Sequence, residues 1–294
     1  MDTKYLKTFL AVAQSKSFSR AAEHVHLTQP AVSKRIIQLE EELGVQLFDR
    51  IGRQVSLTEA GIIFQTRARQ LINELEQSLS EMRSLDGEPG GTLSIGISHH
   101  LGLHRLPSVL REFSRLHPKV NLDIQFMDSE KAHEDVSRGD IELAAITFSS
   151  EPTDKISSIL LWRDRLCFVV CKDHALASES GITLKRLAKL PCLLPSMATY
   201  TGRIIRNCFE QEKLSLSPVL NTNYMETLAC MTEVGLGWSV VPETLADHPQ
   251  LARLKVPVDL SRDLGIIYNN QRTQTRAAKA FLACIKKSIT KATP

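Results

Sequence analysis

"LTQPAVSKRIIQLEEELG", residues 27–44, decides how the first part of the chain is read. Thr28 offers a capping oxygen ahead of Val32, Ile36, Leu39 and Leu43, which are spaced four, three and four apart, and Gly44 ends the run. The pattern predicts one helix with a narrow apolar stripe. Pro30 fits because an N–H in the first helical turn has no intrahelical partner to lose. If Val32, Ile36 and Leu39 point inward, then Gln29, Pro30, Ser33 and Lys34 are left on the outward face.

Upstream, Leu6, Phe9, Leu10 and Ala13 form one apolar face, and Ala21, Ala22 and Val25 a second, shorter helix after the polar "QSKSFS". The three predicted helices make a compact unit, and residues 19–43 meet the needs of a helix-turn-helix. Gln suits the N6 and N7 of adenine, Lys the acceptors of guanine, Ser either, and Pro30 a thymine methyl. Arg35, Arg50 and Arg53 suit phosphate or minor-groove contacts, the last two from a turn at Gly52 that would form a wing. Short trihelical units also serve as protein-interaction modules, and the pattern alone leaves both readings open.

Downstream, Thr58 is positioned to cap a long helix running to about Leu85. Ala68, Leu71, Leu75, Met82 and Leu85 fall on a seam spaced alternately three and four, with Ser78 at the remaining seam position and Leu79 beside it. Such a seam suits a dimeric coiled coil; an amphipathic helix docked on its own domain is the other reading. The turn-rich "DGEPGG", residues 86–91, breaks the helix. Beyond it, extended runs such as "TLSIGIS", "VNLDIQF", "IELAAIT" and "LGIIYNN" alternate with helical ones such as "LPSVLREFSRL" and "RAAKAFLACIKKSI". That alternation implies a parallel-type sheet covered on both faces, in two small α/β lobes with a ligand cleft between them.

Composition fits this plan. The 294 residues suffice for two or three domains, and a net charge of +3 confines any nucleic-acid role to a local patch. The longest apolar runs, "LAAITF" and "LCFVVC", are far short of the roughly 20 residues of a membrane span. Acidic Asp2 and the lack of a sustained apolar run before a small-residue cleavage site lead to an expected cytoplasmic location. All six cysteines follow residue 166 and none forms a CxxC pair, which argues against a zinc cluster or a disulfide scaffold. Cys167 and Cys171, in an apparent strand, would stand about 13 Å apart, too far to bridge.

"FLAVAQSKSFSRAAEHVHLTQPAVSKRIIQLEEELGVQLFDR" followed by "VSLTEAG" closely resembles the N-terminal region of the LysR-type transcriptional regulators. "TLSIGIS", "LPSVLREFSRLHPKVNL", "GDIELAAI", "LLPS" and "VGLGWSVVP" continue the likeness in the family's order. The resemblance implies an α/β protein with an N-terminal winged helix-turn-helix over 1–57, a linker and dimerisation helix over 58–86 and a hinge at 87–91. It further implies two lobes of periplasmic-binding-protein type II, 92–164 plus 263–294 and 165–262. The implied partners are double-stranded promoter DNA, bent by the protein, a small-molecule effector, RNA polymerase, and a second copy of the chain in dimers that pair into homotetramers. No cofactor is implied beyond the effector. Base-contacting positions of the family fall on Gln29, Pro30, Ser33 and Lys34, with Arg50 and Arg53 near the wing. Lys34 departs from the arginine that many members carry and replaces a two-pronged donor with a point charge. Pocket positions fall on Ser98, His99, His100, Thr147, Tyr200, Thr201, Met225 and Glu226. Several precede or begin predicted helices, whose free N–H groups favour an anion, so a carboxylate ligand is expected; Glu226 would instead select a ligand bearing an amine.

Competing chemistries leave weaker traces. His99, His100 and His104 cluster near the predicted cleft, but their spacing fits no familiar catalytic zinc pattern and no carboxylate is obviously paired with them, so no metal site is expected. Cys192 and Cys208 do not match the family's disulfide-switch spacing. No GxSxG, P-loop or GxGxxG is present, and the adjacent Ser98 and His99 would point to opposite faces of a strand, so no catalytic residue is expected. A transporter's solute-binding protein would lack the N-terminal module of some 90 residues.

Overall fold

A computed structural model describes residues 2–51, 54–83, 88–149 and 154–292. The chain divides into two compact units: Met1–Glu88 with Arg138–Asp140, and Pro89–Ser137 with Ile141–Pro294.

The first unit, called the head below, contains α1 (Thr3–Ser15), α2 (Phe18–His24), α3 (Gln29–Leu43), β1 (Phe48–Ile51), β2 (Gln54–Leu57) and α4 (Glu59–Arg83). Side-chain oxygens start three of these helices: Asp2 accepts from the N–H of Lys4, Ser17 from Arg20 and Thr58 from Gly61. Thr28 holds the cap position of α3 with extended backbone, but its side chain makes no cap bond; its carbonyl accepts the Val32 N–H. Pro30 lies in the first turn of α3, and Gly44 ends the helix at φ 70, a left-handed conformation in which glycine carries no Cβ penalty.

Phe9, Val12, Ala21, Val32, Ile36 and Leu39 are fully buried in the head's core, whereas Leu10 and Val25 only flank it. Phe9 meets the rings of Phe48 and Phe64 at 5.2 and 5.1 Å, joining α1 to the hairpin and to α4. The expected seam on α4 is revised here. Ala68 is turned into this core together with Ile72, while Leu71, Leu75 and Leu79 form an exposed apolar row. At 3.6 residues per turn Leu75 and Leu79 continue the stripe of Ala68 and Ile72, so the stripe passes from buried to exposed along α4, where the helix runs beyond the head's core. Leu85 lies outside the described residues, and the turn at Gly52 does too.

The second unit begins with β3 (Gly91–Ile97), α5 (His99–His104), α6 (Pro107–Leu116), β4 (Val120–Phe126), α7 (Ser129–Arg138) and β5 (Leu143–Thr147). The long β6 (Ile156–Cys171) leads to α8 (Leu184–Leu187), β7 (Cys192–Leu194), α9 (Tyr200–Gln211), β8 (Leu220–Asn221) and α10 (Met225–Glu233). Then come β9 (Trp238–Pro242), α11 (Glu243–Ala246), β10 (Leu251–Arg253), β11 (Leu260–Asn269) and α12 (Arg276–Ala292).

The sheet is mixed rather than parallel throughout. β4, β3 and β5 are parallel in one lobe, and β8, β7 and β9 in the other. Between these triplets β11 and β6 run antiparallel to each other and to the strands they flank. β6, 16 residues long, pairs with β11 along most of its length and passes to β9 at Leu166. A parallel reading of the strand runs missed this because both central strands are shared by the two lobes. Each lobe nonetheless has its own core, Phe113 against Phe281 in the first and Phe209 stacked on Trp238 in the second. Among the described residues no helix is long and apolar enough to cross a membrane.

Candidate functional site

On the head, α3 presents its first turns outward. Gln29, Pro30 and Lys34 are exposed and Ser33 half-buried, and the four line one shallow surface with Ile37 and Gln38. Gln29 donates from Nε2 to the Ser33 hydroxyl at 3.1 Å, which holds the two polar groups side by side. Ile37, 44% exposed, adds a carbon surface beside Lys34 that the apolar-stripe reading passed over. Arg35 does not share this row: its guanidinium donates to Thr8 Oγ1 at 3.2 Å, tying α3 to α1. Arg50 lies on β1, its backbone paired with Val55, while Arg53 lies outside the described residues.

In the second unit, a cleft opens between the lobes at the carboxyl ends of strands, where α/β folds commonly bind ligands. The structure brings together Ser98, His99 and His100 after β3, Thr147 at the end of β5, Tyr200 and Thr201 opening α9, and Met225 opening α10. Glu226 is the exception among the expected pocket residues. It turns from the lining toward α5, and its Oε1 lies 3.1 Å from His100 Nδ1 and 2.9 Å from His104 Nε2. His99 separates from the other two histidines, packing edge-on against Tyr224 at 4.4 Å.

The cleft residues not singled out in the sequence include Asp128, Glu130, Asn223 and Arg262. The first three sit in loops or at a helix start, where polar residues carry no distinguishing pattern. Arg262 carried a faint signal, a cation inside the strand "LSRDLGIIYNN". It is 4% exposed, donates from Nε to Asp164 at 2.9 Å and from Nη1 to the Thr201 hydroxyl at 3.1 Å. Arg105 reaches the other oxygen of Asp164 at 3.3 Å.

Bonds between the lobes narrow the cleft. The Glu130 carboxylate accepts the N–H of Tyr200, at the start of α9, and Asn223 donates to Asp128 at 2.9 Å. Gly202, in the same turn of α9, admits no side chain: a Cβ there would lie 2.0 Å from the Ser196 carbonyl oxygen. The remaining cavity is ≈ 50 Å³, against the several hundred usual for a ligand site. Burial lowers the His100 pKa against the pull of its Glu226 bond, favouring the neutral ring. Burial pushes Glu226 up, but hydrogen bonds from His100, its own N–H and His104 outweigh it and hold the carboxyl at about 2. Cys192 is pushed up to about 11 by burial, and burial raises Cys208 too, which leaves both thiols poor nucleophiles at neutral pH.

Comparison with known proteins places both units. Residues 3–62 match the family model described as bacterial regulatory helix-turn-helix protein, lysR family, and residues 86–290 match the LysR substrate binding domain. The chain belongs to the LysR family. It is thus a LysR-type DNA-binding transcriptional regulator with an effector-binding domain, not an enzyme. Among its relatives, the uncharacterized regulator YybE of Bacillus subtilis is 29% identical over 283 residues, covering 96% of this chain and 97% of YybE. The regulator BbuR of Bordetella bronchiseptica is 31% identical over 243 residues, covering 83% of this chain and 74% of BbuR. Full-length CbnR, solved in complex with its target DNA, shares the fold at a TM-score of 0.69 and 22% identity, covering 98% of this chain and 100% of that one.

Proposed function

We propose that this LysR-type regulator reads promoter DNA with Gln29, Pro30, Ser33 and Lys34, aided by Arg50 and Arg53 on the backbone, and that a small carboxylate in the lobe cleft switches it. The observation that carries the ligand reading is Glu130. Its carboxylate already accepts the N–H of Tyr200 at the start of α9, so the cleft holds an acid group of the chain's own. An incoming carboxylate takes that place, freeing Glu130 and parting the lobes; the small cavity requires such widening. Ligand binding then acts by shifting a population between lobe arrangements.

The exposed Leu71, Leu75 and Leu79 on α4 support a dimer through the linker helix, since a lone helix gains nothing by leaving such a row in water. CbnR's complex with DNA supports the duplex as partner for the head. A tetramer of paired dimers, contact with RNA polymerase and a cytoplasmic location complete the proposal.

Two measurements test it. Thermal-shift screening of the full chain against small carboxylates is expected to raise the melting midpoint for at least one, because only native-state binding does so. The Glu130→Gln variant is expected to bind that compound more tightly, since its competitor is weakened. Titration on DNA from upstream of its own or a neighbouring gene is expected to give a sequence-specific, salt-dependent complex. No specific complex at moderate salt on any such fragment overturns the DNA reading, and no carboxylate-induced shift overturns the ligand reading.

A further inference from the structure

His100 and His104 lie four residues apart on α5, so both rings project from one face of the helix, their centroids 4.7 Å apart. Glu226, from α10 in the other lobe, meets both with a single oxygen. One ligand atom from each of His100, His104 and Glu226 lies within 4.8 Å of the other two. Two imidazoles and one carboxylate are a ligand set for zinc and its neighbours.

The hydrogen bonding around His100 supplies the second observation. A carboxylate oxygen only accepts, so Nδ1 must carry the proton facing Glu226. In a neutral ring Nε2 is then a bare acceptor. That atom is buried, has no hydrogen-bond partner among the described residues, and stands 4.0 Å from another acceptor, Asp164 Oδ2, in a residue 5% exposed. A cation on Nδ1 reverses the arrangement: the ring keeps its proton on Nε2, directed at Asp164, the carboxylate support that metal-bound histidines commonly have. Two of the three ligand separations, 2.9 and 3.1 Å, fall a few tenths short of the ~3.3 Å edge of a tetrahedral zinc site.

We propose that His100, His104 and Glu226 bind a divalent zinc-class cation that fastens the two lobes together across α5 and α10. The proposal departs from the expectation of no metal, which rested on the lack of a paired carboxylate; Glu226 supplies a carboxylate, 122 positions beyond His104. Three protein ligands leave a fourth position for water or a small anion. The proposal stands on lobe geometry and does not depend on the carboxylate reading of the cleft.

The test uses the untagged full chain, stripped with a chelator and titrated with Co2+ by visible absorption and with Zn2+ against a chromogenic chelator. One equivalent per chain is expected, with no thiolate charge-transfer band, and Zn2+ should raise the melting midpoint. His104→Ala, at a partly exposed position, and Glu226→Gln should each weaken binding by at least about tenfold and abolish the shift. Cys230→Ser, one turn along α10, should retain both. Absence of saturable binding, equal binding by both ligand variants, or a thiolate band lost in Cys230→Ser overturns the proposal. Each readout is separate from the carboxylate shift and from DNA binding, so failure of one reading is distinct from failure of the other.

Discussion

The outward face of α3 and the lobe cleft are both polar surfaces on rigid elements, yet they are built in opposite ways. Gln29, Pro30, Ser33 and Lys34 occupy consecutive turns at the start of one helix. The cleft takes its lining from six segments between Ser98 and Arg262, joined by bonds from one lobe to the other. A site on one helix needs only that helix to be anchored; an assembled site needs the whole sheet in register. Damage to the second should therefore spread further.

The largest expected effect follows from Arg262→Ala, which leaves Asp164 buried without its closest cation, at a cost of about 3–5 kcal/mol. Both tryptophans, Trp162 and Trp238, lie in the second unit, so their fluorescence during urea unfolding reports on it alone. A loss below about 1 kcal/mol would show that the ion pair is dispensable and the contrast overstated. Next, Ile36→Ala empties a fully buried position beneath α3 and should destabilise the head by about 2–5 kcal/mol. Helix content by circular dichroism should fall while the tryptophan transition stays put; if both move together, the units unfold as one. Gln29→Ala, at an exposed position, should leave both transitions unchanged and remove about 1–3 kcal/mol of discrimination between base pairs, measured by competition with substituted duplexes. The smallest effect is expected for Thr58→Ala, about 1 kcal/mol from a lost cap, read from the head's transition.

The same contrast governs what was legible in the sequence. Val32, Ile36 and Leu39 announce the inner face of α3 by spacing alone, and the structure buries all three. Thr28 marks where the helix starts, although its hydroxyl makes no cap bond and only its carbonyl takes part, in the ordinary helical bond from Val32. Seven of the eight expected pocket residues line the cleft, because a loop after a strand faces the same way wherever the strand sits. Glu226 and its histidines were unreadable as a set, since only the pairing of two lobes brings α10 to α5. Arg35's bond to α1 was unreadable for a similar reason: Thr8 lies 27 residues away on another helix. Ala68 shows a subtler limit, as a pattern of threes and fours does not say how far along a helix the domain covers its stripe.

The joint at Thr58 has a consequence for motion. Its hydroxyl accepts from Gly61 in the first turn of α4 and donates to the Gln46 carbonyl at 2.7 Å, while its N–H donates to Leu47 at 3.0 Å. Gly61 itself sits so close to the chain entering β1 that a Cβ would fall 2.1 Å from the Leu47 oxygen. The root of the long helix is thus locked to the base of the hairpin, with no slack to absorb a twist. Any assembly that clasps two such helices sets the gap between their hairpins as the pivot of a pair of calipers sets its points.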